Sequence, residues 1–359
     1  MVRLHNIASR IFHDDRRLLR FVPLFLLSLV YRGIIALRNL LYDAGVCAAK
    51  KIGCKVINVG NITVGGTGKT PMVIMLAGIL KREGFRPVIL SRGYGGKRKG
   101  QGYAGVVSDG HDMLMGPDEA GDEPVLMAKR VRDVPVIVGK ERVLTGRLAV
   151  ERFGADVLIL DDGFQHRRLF RDLNIVLLDS ERPFGNGFML PRGGLREPSG
   201  SLQRADMVVM TSTKETENPP PGGIPQIPVF SSRRKPVDLV RGRVQNIVPL
   251  MYLKGKRVCA FSGIAEPDGF RKILEPLCGE VVSCIPFPDH HVYASGDVEH
   301  IRTVCRDSGA QIMVTTEKDG IKLTRFPGLF QDVYLLRISM EMISTSPTFE
   351  ECIFTHLKI

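Results

Sequence analysis

The stretch Asn58-Val-Gly-Asn-Ile-Thr-Val-Gly-Gly-Thr-Gly-Lys-Thr-Pro71 has the residue types of a phosphate-binding loop. Gly65, Gly66 and Gly68 let the backbone approach an anion closely, and the successive amides of Thr63, Val64, Gly65, Gly66, Thr67 and Gly68 can wrap it. Lys69 can reach the β and γ phosphates of a nucleoside triphosphate, and the Thr70 hydroxyl is a ligand for Mg²⁺. Pro71 falls in the first turn of the helix that should follow, where a missing N–H costs nothing. The generic pattern has a glycine five residues before Gly68, and Thr63 stands there instead.

A second set of carboxylates lies in Asp156-Val-Leu-Ile-Leu-Asp161-Asp162-Gly-Phe-Gln165-His166, an apolar strand with an acidic end. In an open α/β sheet, ligands bind beyond the carboxyl ends of the strands. Asp161 and Asp162 should therefore lie beside Lys69, where they can hold Mg²⁺ directly or through water. Alone, the stretch would read better as an acidic strand–loop junction; with the P-loop it does not. His166 can contact phosphate or substrate, or serve the structure only. Gly121-Asp122-Glu123-Pro124 places two carboxylates in a turn, which proves nothing by itself. Phe287-Pro-Asp289-His290-His291-Val-Tyr293 invites a metal reading. Asp-His-His without a further cluster is weak evidence for zinc, and acid–base chemistry or a structural loop histidine fits as well. Thr315-Thr-Glu317-Lys318-Asp319 follows a predicted strand.

The elements that must position these groups follow from apolar periodicity. Short apolar runs at Lys55–Val59, Pro87–Leu90, Val134–Val138, Asp156–Leu160, Asn174–Leu178 and Met207–Thr211 predict strands buried on both faces. A helix is predicted over Thr70–Glu83, stopped by Gly84. The alternation predicts an α/β fold, a P-loop NTPase-like doubly wound and mostly parallel sheet. Residues 217–228, rich in Pro and Gly, cannot sustain a helix or a central strand and mark a linker. Further strands are predicted at Arg257–Phe261, Val281–Ile285, Gln311–Thr315 and Asp332–Ile338, in a second, smaller α/β domain. The expected division is an N-terminal segment, 1–45, a P-loop domain, 46–228, and a second α/β domain with its linker, 229–359.

The first 40 residues carry seven arginines against two aspartates, a net +5, around the apolar run Phe21–Tyr31. That unbroken run is too short to span a bilayer, which takes about 20 residues. Basic ends and aromatics among leucines instead predict a helix lying in a membrane interface, with a buried or partner-binding helix as the alternative. Across all 359 residues there are 50 basic and 38 acidic side chains, a net +12. Such a surface suits nucleic acid, anionic lipid or a phosphorylated substrate. With 44% hydrophobic and 25% charged residues, the composition excludes disorder as the dominant state, and the lack of long apolar runs excludes a polytopic membrane protein. Seven cysteines without a CxxC pair argue against a disulfide framework or zinc ribbon and suit a reducing compartment. No cleavable signal peptide is apparent.

Taken together, the motifs resemble the tetraacyldisaccharide 4′-kinase family, the lipid A kinases. The matching pieces are Val59–Pro71, Leu90-Ser-Arg-Gly-Tyr-Gly95, Gly121-Asp-Glu-Pro124, Leu160-Asp-Asp-Gly-Phe-Gln-His166, Gly185-Asn-Gly187 with Leu195-Arg-Glu-Pro198, Asp289-His290, and Thr316-Glu-Lys-Asp319. They occur in family order over most of the chain, and Thr63 resembles that family's own version of the loop. Pro191-Arg-Gly-Gly-Leu195 departs from the family's small-residue wording. The resemblance implies transfer of the γ-phosphoryl of ATP to the 4′-hydroxyl of a lipid A disaccharide 1-phosphate precursor. It also implies a site at the cytoplasmic face of a bacterial inner membrane. Carried over, Lys69 and Thr70 hold ATP and Mg²⁺, and Asp122 is the candidate general base, paired with His290. Glu123, Asp161, Asp162, Gln165 and His166 surround phosphate and metal. Arg92, Tyr94, Asn186, Arg196 and Glu197 are candidates for substrate or closure contacts.

The rival reading is a P-loop GTPase or metallochaperone-type nucleotide switch, in which an Asn/Thr-Lys-x-Asp element reads guanine. Thr316-Glu317-Lys318-Asp319 resembles one superficially but lacks the residue between Lys and Asp. A nucleic-acid-dependent ATPase would explain the basic charge, yet no interleaved aromatic platform is visible and the chain has no Trp.

Overall fold

The structure, a computed structural model, describes residues 22–97, 103–212, 222–241, 246–343 and 346–358. The readings made on residues 1–21, with five of the N-terminal arginines, and on 217–221 of the linker fall outside it. The first half contains α1 (Val22–Asp43), β1 (Lys55–Gly60), α2 (Lys69–Arg82), β2 (Pro87–Ser91), β3 (Gly105–Ser108), α3 (Pro117–Ala120), α4 (Asp122–Arg130), β4 (Val136–Val138), α5 (Arg142–Phe153), β5 (Val157–Asp161), β6 (Leu173–Asp179) and β7 (Met207–Ser212). The second contains β8 (Val229–Arg241), β9 (Asn246–Val248), β10 (Arg257–Ser262), α6 (Pro267–Leu274), β11 (Glu280–Pro286), α7 (Ser295–Asp307), β12 (Ile312–Thr316), α8 (Glu317–Leu323), α9 (Pro327–Asp332), β13 (Val333–Met342) and α10 (Phe349–Leu357).

The strands join in the order β11-β10-β12-β13-β8-β7-β6-β1-β5-β2-β4-β3, with β9 beside β8. Nearly all pairs are parallel; β3 with β4, β8 with β9 and β8 with β13 are antiparallel. Every residue of β2 and β5 is buried, as parallel strands covered by helices on both faces require. β1 lies between β5 and β6, where the strand order reverses, so the loops after β1 and β5 open into one crevice.

The strand that links the two halves, β8, was not predicted, because Arg233-Arg234-Lys235-Pro236 reads as a polar break. It is 13 residues long, pairing with β7 at its start and with β13 along its length. Pro236 sits where the β13 register shifts, a place where a missing donor is tolerated. Phe349, Ile353 and Leu357 of α10 return to the apolar core formed by α2, α4 and the first-half strands.

Two further findings correct the sequence reading. Cys259 on β10 and Cys305 on α7 form a disulfide, with Cα atoms 5.5 Å apart; the pairing bridges elements that no local cysteine spacing reveals. The other five cysteines are free. The apolar N-terminal run continues through Arg32 as one helix of 22 residues, long and apolar enough to cross a membrane by length and composition. Only Ser28 and Ile35 of it are buried, whereas Leu26, Leu27, Val30, Ile34, Leu37 and Leu40 are exposed.

Candidate functional site

The loop after β1 holds its shape through its own bonds. Asn61 Nδ2 donates to Thr67 Oγ1 at 3.0 Å and Thr67 N donates to Gly65 O at 3.2 Å. Gly68 caps α2 at φ +81°, a left-handed conformation, with no side-chain cap. The first-turn N–H groups of α2 are thereby left to an anion. A neighbouring segment is zipped to the loop. Val64 N donates to Gly194 O (2.8 Å), Arg196 N donates to Ile62 O (2.7 Å), and Thr63 bridges Leu195.

The acidic end of β5 meets this loop. Lys69 Nζ lies 3.5 Å from Asp162 Oδ1, and Arg196 Nη1 donates to both Asp162 oxygens at 3.0 and 2.9 Å. Burial favours protonation of Asp162, but Lys69 and Arg196 outweigh it and hold the carboxyl below the usual carboxylate range. Its neighbour behaves oppositely. Burial, with the nearby charges of Glu123 and Asp162, pushes Asp161 up to about 7, even though Ser91 Oγ donates to it at 2.9 Å. Adjacent carboxylates thus hold different proton affinities, as their environments dictate.

A second cluster lies where α4 meets the second half. Gly121 has φ +92°, and a Cβ there would lie 2.2 Å from Tyr94 O, so glycine is required for α4 to start against the Tyr94 turn. Asp122, the first residue of α4, places Oδ2 3.6 Å from His290 Nδ1 and 3.4 Å from Lys322 Nζ. Burial raises the proton affinity of Asp122, but His290 and Lys322 outweigh it and keep the carboxyl low. Lys318 Nζ lies 3.3 Å from His290 Nε2, 3.2 Å from Glu123 Oε1 and 3.3 Å from Asp289 Oδ1. His290 thus stands between the two groups, with Nε2 towards the Lys318 ammonium and Nδ1 towards the Asp122 carboxylate. Burial disfavours the charge on Lys318, yet Glu123 and Asp289 raise its pKa above the ordinary lysine value. The Tyr94 and His290 rings lie 5.3 Å apart.

The remaining predicted residues divide. Gln165 Nε2 donates to Asn61 O at 2.8 Å and braces the loop. His166 lines a cavity of about 150 Å³ together with Lys50, Arg142, Arg147 and Arg168. Burial and the surrounding arginines push His166 down to about 4. Arg92 and Tyr94 are exposed at the rim. Asn186 bonds Arg192 O and Phe188 N, shaping its own turn. Glu197 is fully buried and bonded to Arg38, Asn39 and Arg204. His291 bonds Asp297 at 2.9 Å and stacks on Phe287, which makes it a structural loop histidine. Thr316 caps α8 through Asp319, and Asp319 is buried and accepts from Gly263 N, so this segment does not present a base-reading carboxylate. Sequence reasoning missed Lys322, Ser91 and Arg142. Lys322 lies one helical turn beyond Lys318, the spacing that puts both on one face. Arg142 is 3% exposed and donates to Ser91 O, Gly139 O and Asp161 O, a role with no local signature.

Comparison with known proteins bears directly on this geometry. The profile of the family described as tetraacyldisaccharide-1-P 4′-kinase matches residues 21–358. The chain is 48% identical over 345 residues to the tetraacyldisaccharide 4′-kinase of Syntrophus aciditrophicus (strain SB), covering 92% of this chain and 91% of that one. It is 42% identical over 355 residues to the enzyme of that name from Desulfatibacillum aliphaticivorans, covering 96% and 95%. Among solved structures, the "apo" form of LpxK from Aquifex aeolicus in complex with ATP is similar with a TM-score of 0.76 at 36% identity, covering 94% of this chain and 98% of that one.

Proposed function

The chain belongs to the tetraacyldisaccharide 4′-kinase family, the ATP-dependent lipid A 4′-kinases, and from that premise we propose how its residues divide the reaction. The γ-phosphoryl of ATP passes to the 4′-hydroxyl of a tetraacyldisaccharide 1-phosphate. Phosphoryl transfer needs positioning and charge neutralisation above all. Lys69 and the amides of residues 63–70 supply both at the phosphates, with Asp162 and Arg196 fixing Lys69 from behind.

Thr70, Asp161 and Glu123 are the groups that would hold Mg²⁺. The donor set fits. The charges of Glu123 and Asp162 raise the proton affinity of buried Asp161, a repulsion that a divalent cation relieves. Among the described residues no cluster of three or more His, Cys, Asp or Glu is arranged to hold a metal by itself. That pattern suits Mg²⁺, which takes one or two carboxylates and completes its shell with water and nucleotide oxygens. When bound, the ion neutralises charge on the phosphate oxygens.

Asp122 accepts the proton of the 4′-hydroxyl, and His290 orients that carboxylate through Nδ1 while Lys318 fixes the ring from the other side. The observation that carries this reading is the 3.6 Å approach of His290 Nδ1 to Asp122 Oδ2, two motifs that are remote in sequence. One comes from each half of the chain, so the dyad exists only where the halves meet, an arrangement that limits hydrolysis of ATP by water. We divide the chain accordingly, residues 46–228 for the nucleotide and 229–359 for the half bearing His290, with α10 returning to the first core. The cavity beside His166 is lined by Lys50, Arg147 and Arg168 against Glu141, a net positive lining that suits a phosphorylated glycolipid. The exposed apolar face of α1 rests on an anionic membrane at the cytoplasmic face of the bacterial inner membrane, and nucleic acid is not a partner.

The test is incubation of purified protein with labelled ATP, Mg²⁺ and a tetraacylated disaccharide 1-phosphate in detergent. Label appearing on the lipid supports the assignment. Nucleotide hydrolysis with GTP preference and no lipid product would contradict it.

A further inference from the structure

The apolar helix and the nucleotide loop meet at one short segment, Gly194–Glu197. From the loop side, Gly194 and Arg196 are bonded through their backbones to Val64 and Ile62, and the Arg196 guanidinium holds Asp162 beside Lys69. From the helix side, Tyr31 Oη donates to Arg196 O at 3.1 Å. Arg38 Nη2 donates to Glu197 Oε1 at 2.9 Å, and Asn39 Nδ2 donates to Glu197 Oε2 at 3.2 Å. Arg204 pairs with the same carboxylate and lays its guanidinium over the Phe164 ring, 4.4 Å from the centroid. Ile35, the buried apolar residue of α1, joins a cluster with Ile62 of the loop, Phe164 and Leu195. Arg167, just past the acidic turn, donates to Asn39 O at 3.0 Å and to Asp43 at 2.6 Å.

This is more than a helix resting on a surface. Glu197 has no exposed side-chain area, while Arg38 is 32% exposed and comes from α1. A buried carboxylate depends on its partners, and losing one leaves charge uncompensated in a low-dielectric site. The neighbouring residue then carries the disturbance to Asp162.

We propose that Arg38 and Glu197 are positioning residues of the nucleotide site. Through the Arg38–Glu197–Arg204 cluster, the membrane-facing helix holds segment 194–197, and with it Arg196 and the P-loop, in the arrangement that receives ATP phosphates. Helix α1 then has two separate faces. Leu26, Leu27, Val30, Ile34 and Leu37 are left for lipid, and Tyr31, Ile35, Arg38 and Asn39 serve the kinase. The inference rests on the assignment of Lys69 and Asp162 to the phosphate end of ATP.

The experiment measures ATP affinity without lipid substrate and partition onto phosphatidylglycerol vesicles, on the full chain. Arg38→Met should weaken ATP about tenfold with vesicle partition unchanged, and Arg38→Lys should recover most of the loss. Tyr31→Phe, a milder change, should weaken ATP about twofold and keeps the idea testable if Arg38→Met fails to fold. Lys69→Ala is the control. If Lys69→Ala leaves ATP affinity intact, the phosphate-loop assignment fails. If Lys69→Ala weakens ATP but the folded Arg38 and Tyr31 variants do not, the coupling alone is overturned and α1 is only an anchor. Loss of vesicle partition with intact ATP affinity overturns it too.

Discussion

The two clusters of the site are built in contrasting ways. The nucleotide side, Lys69 with Asp162 and Arg196, comes from the first half and rests on backbone bonds between the loop and residues 194–196, with Arg234 of β8 donating to Gly66 O at 2.7 Å. The acid–base side, Asp122 with His290, Lys318 and Lys322, is joined by side chains that reach across from β11–α8 to α4. On the proposed assignment, the first receives the phosphates of ATP. The second is a junction that exists only while the halves stay together. An enzyme that must hold ATP without wasting it on water gains from that asymmetry, because binding and proton removal can be separated.

The contrast can be broken from either side. The largest effect is expected from Lys69→Ala, which removes the loop's own lysine beside Asp162. Turnover should fall about 10³-fold, with weaker ATP binding as well, measured by steady-state kinetics and equilibrium binding. His290→Ala should cost about 10²-fold in kcat while ATP affinity stays near that of the parent, because the residue belongs to the other cluster. Lys322→Met should cost roughly tenfold in kcat, again without loss of ATP affinity, since the neighbouring cation Lys318 still fixes His290.

The smallest effect concerns stability. The Asp161 carboxyl has a folded pKa of about 7 against an ordinary value of 3.8. Between those values the folded chain binds more protons than the unfolded one, so this residue's contribution to stability falls as pH rises from about 4 to 7. Asp161→Asn should therefore raise the melting temperature of the nucleotide-free protein at pH 8 by about 5 °C and flatten its dependence over that range. A melting temperature lowered at pH 8 would show that the charged carboxylate stabilises the fold.

The same asymmetry governs what the chain reveals before folding. The nucleotide side was legible because Gly65–Thr70 and Val157–Asp162 are contiguous, and an apolar strand next to glycines or acids is a local pattern. Asp122 and His290 were paired as base and partner through family resemblance, since a GDEP turn specifies no chemistry and Asp-His-His left metal, acid–base and structural readings open. Lys322 and Arg142 escaped notice. Each acts through atoms supplied by distant elements, and a buried arginine braced on three carbonyls looks in sequence like any surface arginine. Strand β8 was hidden by its basic run, whose side chains find Glu341 on β13 and Glu266. Glu197 was grouped with substrate contacts by its motif; its buried bonds to α1 follow from packing that no spacing rule encodes.

The most direct test of the account is Asp122→Ala, assayed for lipid phosphorylation and, separately, for ATP affinity. The division into receptor and junction predicts that turnover drops by about 10²–10⁴-fold while the dissociation constant for ATP changes less than about twofold. Turnover at the parent rate would contradict the assignment of Asp122 as the base, and a loss of ATP affinity equal to the loss of turnover would contradict the separation of the two clusters.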